Sequence, residues 1–129
     1  MGDRLFSVEE ANALLPQLRR RLGSIQAISA AIERLHPLGG DMEEAARGIA
    51  ESGGRLVPAP YMASLCRLRD EFAAVKELGV FLKDWDEGLV DFPHMRGGKV
   101  VLLCWKLGED RVHHWHEVEA GFEGRKPLP

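Results

Sequence analysis

The chain has 129 residues, 45% of them hydrophobic and 29% charged, which is the composition of a globular protein with one core. Its 17 basic and 20 acidic side chains give a net charge of −3 without a basic half, which argues against a nucleic-acid partner. No apolar run approaches the roughly 20 residues that cross a bilayer, and the opening MGDRLFSVEE lacks the apolar stretch of a secretory signal. We therefore expect a cytoplasmic protein with a single domain, residues 1–129, and no membrane partner.

The first predicted element is a long helix that begins at a capping box. Ser7 is a favourable N-cap residue and Glu10 follows three positions later, so each side chain can bond the backbone N–H of the other. Pro16 predicts a bend inside the helix, and Pro37 predicts that the helix ends by His36. Apolar residues recur at steps of three and four, the spacing of one helical face. We term this row the apolar seam; it consists of Ala11, Leu15, Leu18, Leu22, Ile25, Ile28, Ile32 and Leu35.

An irregular middle segment, residues 37–60, separates this helix from a second one. The second predicted helix runs from Tyr61 to Leu78 with similar apolar steps, and Gly79 is the expected glycine at its carboxyl end. Residues 1–78 are therefore expected to pack as an antiparallel helical hairpin. Because the first helix is longer than the second, part of its seam lacks a partner. An exposed apolar row marks an association surface, and we predict a homodimer through the helical hairpin.

Residues 79–129 carry the signals of a small antiparallel sheet. Gly97-Gly98 is a two-residue hairpin turn, because both positions can adopt positive φ, and it separates predicted strands at 89–96 and 99–106. A third strand is predicted over 111–118, and the short apolar run that follows the second helix is a candidate fourth strand. The sequence thus predicts an α+β fold, with a long antiparallel helical hairpin followed by a three- to four-stranded β-meander and a tail.

The glycine turn determines which side chains of the sheet lie opposite each other. It places Asp91 opposite Cys104. If the next loop has four residues, Cys104 lies opposite His113, and a loop one residue longer or shorter would exchange the two faces of the third strand. The row Asp91, Cys104 and His113 has the residue types of a nucleophile, a base and an orienting acid, although neighbouring strands produce such rows by chance. Asp91 interrupts an apolar strand, so its carboxylate must be paired or functional, with His113 or Arg125 as the expected partner.

The third strand contains the densest group of metal-ligating residues. Residues two apart on a strand share a face, so His114 and His116 are candidate ligands for one metal ion. His94 lies on the same predicted face and is the candidate third ligand. The alternative is that these histidines are exposed on an edge strand or hydrogen-bonded in the core.

Both ends of the chain resemble a known family. The opening FSVEEANALLPQLR and the later segments GLVDFP, LLCWKLGED and VHHWHEVEAGFEGRKPL are similar to domain of unknown function 2203, a prokaryotic family. The resemblance implies two long helices around a variable middle, followed by this carboxyl-terminal block, and it implies no particular activity. Carried onto this sequence, the family pattern marks a candidate binding pocket that consists of Lys83, Asp84, Asp91, Trp105, Glu109, Trp115, His116 and Arg125. A carboxylate–arginine pair that holds the tail against the sheet is the structural alternative to a pocket.

Two functions from different classes follow. The first is a dimeric binding or scaffolding module without catalysis and without a cofactor, which the long apolar seam and the absence of a convincing catalytic set favour. The second is a metal-binding protein or small metal-dependent hydrolase that holds a divalent ion such as zinc. It rests on the spacing of the histidines, with Asp91 or Glu109 as the acidic partner. We favour the first on the sequence alone.

Overall fold

The computed structural model describes residues 4–35 and 59–129. It contains two helices followed by an antiparallel sheet of five strands that are neighbours in chain order, which confirms the α+β prediction. The elements are α1 (Val8–Leu35), α2 (Ala59–Glu77), β1 (Phe81–Asp84), β2 (Leu89–Arg96), β3 (Lys99–Lys106), β4 (His114–His116) and β5 (Lys126–Pro127), with a 3₁₀ turn at Phe122–Gly124. The sheet has five strands rather than three or four, because the tail returns to pair with β4. Most of the predicted irregular segment lies outside the described residues.

The chain groups into two compact units. The first comprises Met1–Leu22 and Ala74–Pro129, and therefore holds the beginning of α1, the end of α2 and the whole sheet. The second comprises Gly23–Ala73 and holds the described remainder of both helices. Neither described helix combines the length and the apolarity that a membrane span requires.

The apolar seam of α1 is buried within the single chain. Its residues from Ala11 to Ile32 are each at most 4% exposed. In α2, Tyr61, Leu68 and Val75 are buried at intervals of seven residues, as expected for one helical face. The described seam therefore does not offer the exposed apolar row from which the homodimer was predicted, and the homodimer stays a prediction.

The amino end of α1 forms the predicted capping box and is attached to the sheet. The Glu10 N–H donates to Ser7 Oγ at 3.0 Å, and the Ser7 N–H donates to Glu10 Oε1 at 2.8 Å. Just before the cap, the Phe6 N–H donates to the Pro93 carbonyl at 2.7 Å. The ring of Phe6 meets that of Phe92 edge to face, with centroids 5.5 Å apart. These contacts fix the beginning of α1 against the middle of β2.

The sheet has one face toward α1, which we term the inner face, and an opposite outer face. Alternation along the strands assigns side chains to the two faces in turn. The inner face includes Val90, Phe92, Leu103, Trp105 and Trp115. The outer face includes Asp91, Leu102, Cys104, His114 and His116. The first four inner residues form a buried apolar core, whereas the outer face combines buried polar groups with the exposed apolar side chains Met95 and Val100.

The predicted pairing of β2 with β3 is confirmed, and the predicted pairing of β3 with β4 is wrong by one residue. Cys104 lies opposite Asp91 as expected, but its neighbour on the other side is His114 rather than His113. The loop after β3 is longer than a four-residue turn because its backbone bonds to α1. The Asp110 carbonyl accepts from Arg19, and the Val112 N–H donates to the side chain of Asn12.

The hairpin turn allows a test of backbone conformation. Gly97 has a φ of +59°, so we expect Gly97→Ala to lower the free energy of unfolding by about 1 kcal/mol, since a left-handed conformation strains a Cβ. Gly23, inside α1, is the comparison position, because a Cβ added there would meet no atom within 4 Å. Gly23→Ala should therefore raise the free energy of unfolding by roughly 0.4–1 kcal/mol. Urea denaturation measures both, and changes of the same sign would contradict the prediction.

Candidate functional site

The outer face brings together three side chains from three adjacent strands. Asp91 of β2, Cys104 of β3 and His116 of β4 each offer one potential ligand atom, and these three atoms all lie within 4.8 Å of one another. Each of the three residues is at most 2% exposed. Buried carboxylates, thiols and imidazoles require partners, so the three side chains form a buried polar cluster on the outer face.

The strand register explains why the cluster forms. Asp91 is directly opposite Cys104, and His116 is opposite Leu102, two residues before Cys104. Asp91 and His116 therefore extend over β3 from its two sides and meet there. His116 Nε2 lies 3.2 Å from Asp91 Oδ2.

The two ring nitrogens of His116 both face oxygen atoms. Nδ1 is 2.7 Å from the Glu117 carbonyl oxygen, which can only accept, so Nδ1 carries a hydrogen and donates it. Nε2 then faces the carboxylate of Asp91. An unprotonated Nε2 would place two lone pairs opposite each other, so a proton or a metal cation belongs between Nε2 and Oδ2.

The Cys104 thiol is strongly held in its protonated form. Burial is the largest cause, the negative charge of Asp91 is the second, and together they raise the pKa of Cys104 to about 12. The positive charge of Arg125 acts in the opposite direction. A thiol with this pKa is a poor nucleophile at neutral pH.

The predicted row of Asp91, Cys104 and His113 is wrong in its third member. His113 Nε2 lies 3.0 Å from the exposed Asp110 carboxylate instead. His116 takes the predicted place of His113 beside Asp91, and both of its ring nitrogens already face oxygen atoms. The ring of His116 therefore has no free nitrogen that could take the proton of Cys104.

Comparison with known proteins identifies the family. Residues 4–128 match the family described as "Uncharacterized conserved protein (DUF2203)". The chain belongs to the DUF2203 family. No curated protein and no solved structure matches the chain. The family match confirms the resemblance seen at both ends of the sequence.

In this DUF2203 chain a second polar group adjoins the cluster. Arg125 Nη2 donates to both carboxylate oxygens of Glu109, at 2.8 and 2.9 Å, and lies 3.4 Å from the Cys104 carbonyl. Glu109 Oε1 also accepts from the Lys106 N–H at 2.8 Å. The Phe122 ring lies 4.4 Å from the guanidinium carbon of Arg125. A carboxylate–arginine pair, which was the structural alternative to a pocket, is thus present between Glu109 and Arg125, and it holds the tail against β3.

The side chains of Trp105 and Trp115, two further residues of the candidate pocket, lie on the opposite face of the sheet from the cluster. Trp105 lies on the inner face, where its Nε1–H donates to the Glu109 carbonyl at 3.0 Å. Trp115 is also on the inner face, with the charged groups of Arg96 and Lys126 4.7 and 4.8 Å from its ring centroid.

The two candidates on β1 are likewise separate. Lys83 is exposed. Asp84 Oδ1 accepts from the N–H groups of Asp86 and Glu87, both at 3.0 Å, and so closes the turn after β1. The structure therefore divides the eight family-marked residues between both faces of the sheet and a turn.

The predicted metal ligands are also divided. His94 lies on the inner face, with Nδ1 2.6 Å from the Phe6 carbonyl, whereas His114 and His116 lie on the outer face. Only His116 belongs to the group that the structure assembles. The sequence did place Asp91 beside Cys104, and the one-residue register error alone separated that pair from His116.

Proposed function

We propose that this DUF2203 protein binds a divalent transition-metal ion, zinc or one of similar chemistry, through Asp91, Cys104 and His116. The observation that carries the proposal is the meeting of three different ligand types within 4.8 Å. Carboxylate oxygen, thiolate sulfur and imidazole nitrogen all bind zinc, and the ligand atoms of a tetrahedral zinc ion lie roughly 3.3–3.8 Å apart. The 3.2 Å between His116 Nε2 and Asp91 Oδ2 is close to that spacing.

The orientation of His116 supports the proposal. Histidines that bind metals commonly donate their other ring N–H to a backbone carbonyl or a carboxylate, which fixes the ring and directs the ligand nitrogen. His116 makes this bond to the Glu117 carbonyl at 2.7 Å. A metal ion would replace the proton between Nε2 and the Asp91 carboxylate.

Cys104 supplies the third ligand once it loses its proton. A coordinated thiol is deprotonated by the charge of the metal ion, and the nearby Arg125 guanidinium also favours the thiolate. Among the described residues no fourth histidine, cysteine or acidic side chain joins this group. Because all three ligands are buried, the role we propose is metal binding without hydrolysis. The dimeric scaffolding module stays a prediction, which the buried seam does not support.

Cobalt(II) is the most direct probe of this site, because a cobalt–thiolate bond gives a characteristic near-ultraviolet charge-transfer band. We expect tag-free protein, first stripped with a chelator, to bind one Co²⁺ per chain and to show this band. Zinc should displace the cobalt and abolish the band. A free metal-ion concentration of one hundred times the dissociation constant should also stabilise the fold by about 2.7 kcal/mol, which a thermal melt detects.

The second cysteine gives a matched control. Cys66 is a half-exposed free cysteine on α2. Cys66→Ala should keep the charge-transfer band, and Cys104→Ala should lose it. If Cys104→Ala fails to fold, the band in Cys66→Ala protein still assigns the sulfur to Cys104. Absence of the band from the unsubstituted protein, or its persistence in Cys104→Ala, would remove the proposal.

A further inference from the structure

A cleft of about 480 Å³ lies in the first unit, where the first turn of α1 meets the sheet and the tail. Two arginines from different elements line it, Arg96 at the end of β2 and Arg111 in the loop before β4. Part of its wall is apolar and consists of Val8, Val112 and Leu128. Metal binding at the outer-face cluster does not involve any of these residues.

The loop that carries Arg111 is anchored on both sides of the arginine. Arg19 Nη2 donates to the Asp110 carbonyl at 2.9 Å. The Val112 N–H donates to Asn12 Oδ1 at 2.8 Å. Both bonds tie the loop to α1, so the backbone of Arg111 is held in place before any ligand arrives, which lowers the entropy lost on binding.

Arg96 is oriented by an aromatic ring. Its guanidinium carbon lies 4.7 Å from the centroid of the Trp115 ring. A cation held over an aromatic face in this way keeps its N–H donors available at the edge. Two guanidinium groups at one cleft are a favourable arrangement for an oxyanion, because each can donate two parallel hydrogen bonds.

Among the side chains that line the cleft, positive charge exceeds negative charge. Among its described lining residues Glu9 is the one acidic side chain, against two arginines. His113 also lines the cleft, and its ring is bonded to the Asp110 carboxylate. The amino end of the α1 dipole adds partial positive charge. The carboxylate of Glu9 opposes these charges, so its removal should strengthen anion binding.

We propose that this cleft binds a small phosphate monoester, with the phosphate at Arg96 and Arg111 and the organic part against the apolar wall. Its volume of about 480 Å³ exceeds what one inorganic phosphate fills and lies within the range of about 300–1,000 Å³ for small-molecule sites. Paired guanidinium groups recognise phosphate by geometry as well as by charge.

Isothermal titration calorimetry with two probes tests the proposal, in low salt with a chelator present so that metal binding does not contribute. Phenyl phosphate should bind at least about tenfold more tightly than inorganic phosphate, because only the ester contacts the apolar wall. Arg111→Gln and Arg96→Gln should each weaken phenyl phosphate binding by roughly tenfold or more. Glu9→Gln should strengthen it severalfold.

Arg20→Gln is the matched control, since Arg20 is an exposed arginine of α1 outside the cleft. It removes the same charge and should leave the affinity unchanged. Any of three results would overturn the proposal: no saturable binding of phenyl phosphate up to roughly 10 mM, equal affinity for the two probes, or equal weakening by Arg20→Gln and Arg111→Gln. Thermal melts identify variants that fail to fold, and either cleft arginine alone suffices for the comparison.

Discussion

Replacing Asp91 with alanine is expected to lower the free energy of unfolding of the metal-free protein by about 3–5 kcal/mol. The carboxylate lies 3.2 Å from His116 Nε2, and both side chains are at most 3% exposed. Without Asp91, the ring nitrogen would remain buried and would lack its partner. Leaving one member of a buried pair unpaired destabilises a protein far more than the pair itself stabilises it.

The chain contains a matched control for this substitution. His113 and Asp110 form a pair of the same residue types at 3.0 Å, with side chains that are 48% and 83% exposed. Asp110→Ala should leave the midpoint of urea denaturation unchanged, because water replaces the lost partner. Both variants are measured in the presence of a chelator. An Asp91→Ala midpoint equal to that of Asp110→Ala would show that the buried pair is unimportant for stability.

A double-mutant cycle separates the pair from its surroundings. If Asp91 and His116 act mainly on each other, the variant with both replaced by alanine should lose less stability than the sum of the two single variants. An additive result would instead assign the effect of Asp91→Ala to lost packing around the carboxylate.

The second large effect is expected at the inner face of the sheet. Phe92→Ala should lower the free energy of unfolding by about 3–5 kcal/mol, because Phe92 is fully buried and its removal leaves a cavity in the core of the first unit. The substitution also removes the edge-to-face contact with the ring of Phe6, whose centroid is 5.5 Å from that of Phe92. Phe92→Leu keeps most of the volume and should lose less.

Phe81 on the neighbouring strand is the control for Phe92. It is 45% exposed, so Phe81→Ala should change the free energy of unfolding by about 0.5 kcal/mol or less. Urea denaturation with comparison of both midpoint and slope measures the two variants. Equal losses from Phe81→Ala and Phe92→Ala would mean that the core does not lie between α1 and the inner face.

The candidate site shows how one local error limits prediction from sequence. The Gly97-Gly98 turn correctly placed Asp91 opposite Cys104, and the histidine-rich strand was identified as a source of metal ligands. The predicted loop before β4 was one residue too short, and this error placed His116 on the wrong face of the sheet. The predicted metal set of His94, His114 and His116, with Asp91 or Glu109 as the acidic partner, therefore lacked Cys104.

The sequence by itself determined the features that depend on neighbouring residues. The capping box at Ser7, the positive φ of Gly79 after the end of α2 and the turn at Gly97-Gly98 each follow from hydrogen bonds or dihedral angles within a few positions. These interactions have few competitors, because the chain between the bonded groups is too short to allow alternatives.

Only the tertiary structure decided the features that join distant parts of the chain. The bond between Asn12 and Val112 spans 100 positions and ties the loop before β4 to α1. The length of this loop decides the face on which His116 lies. Asp91 and His116 are 25 positions apart and meet over β3 because of that register. Successive side chains of a strand point to opposite faces of the sheet. A difference of one residue in the length of the preceding loop therefore decides which residues form the site.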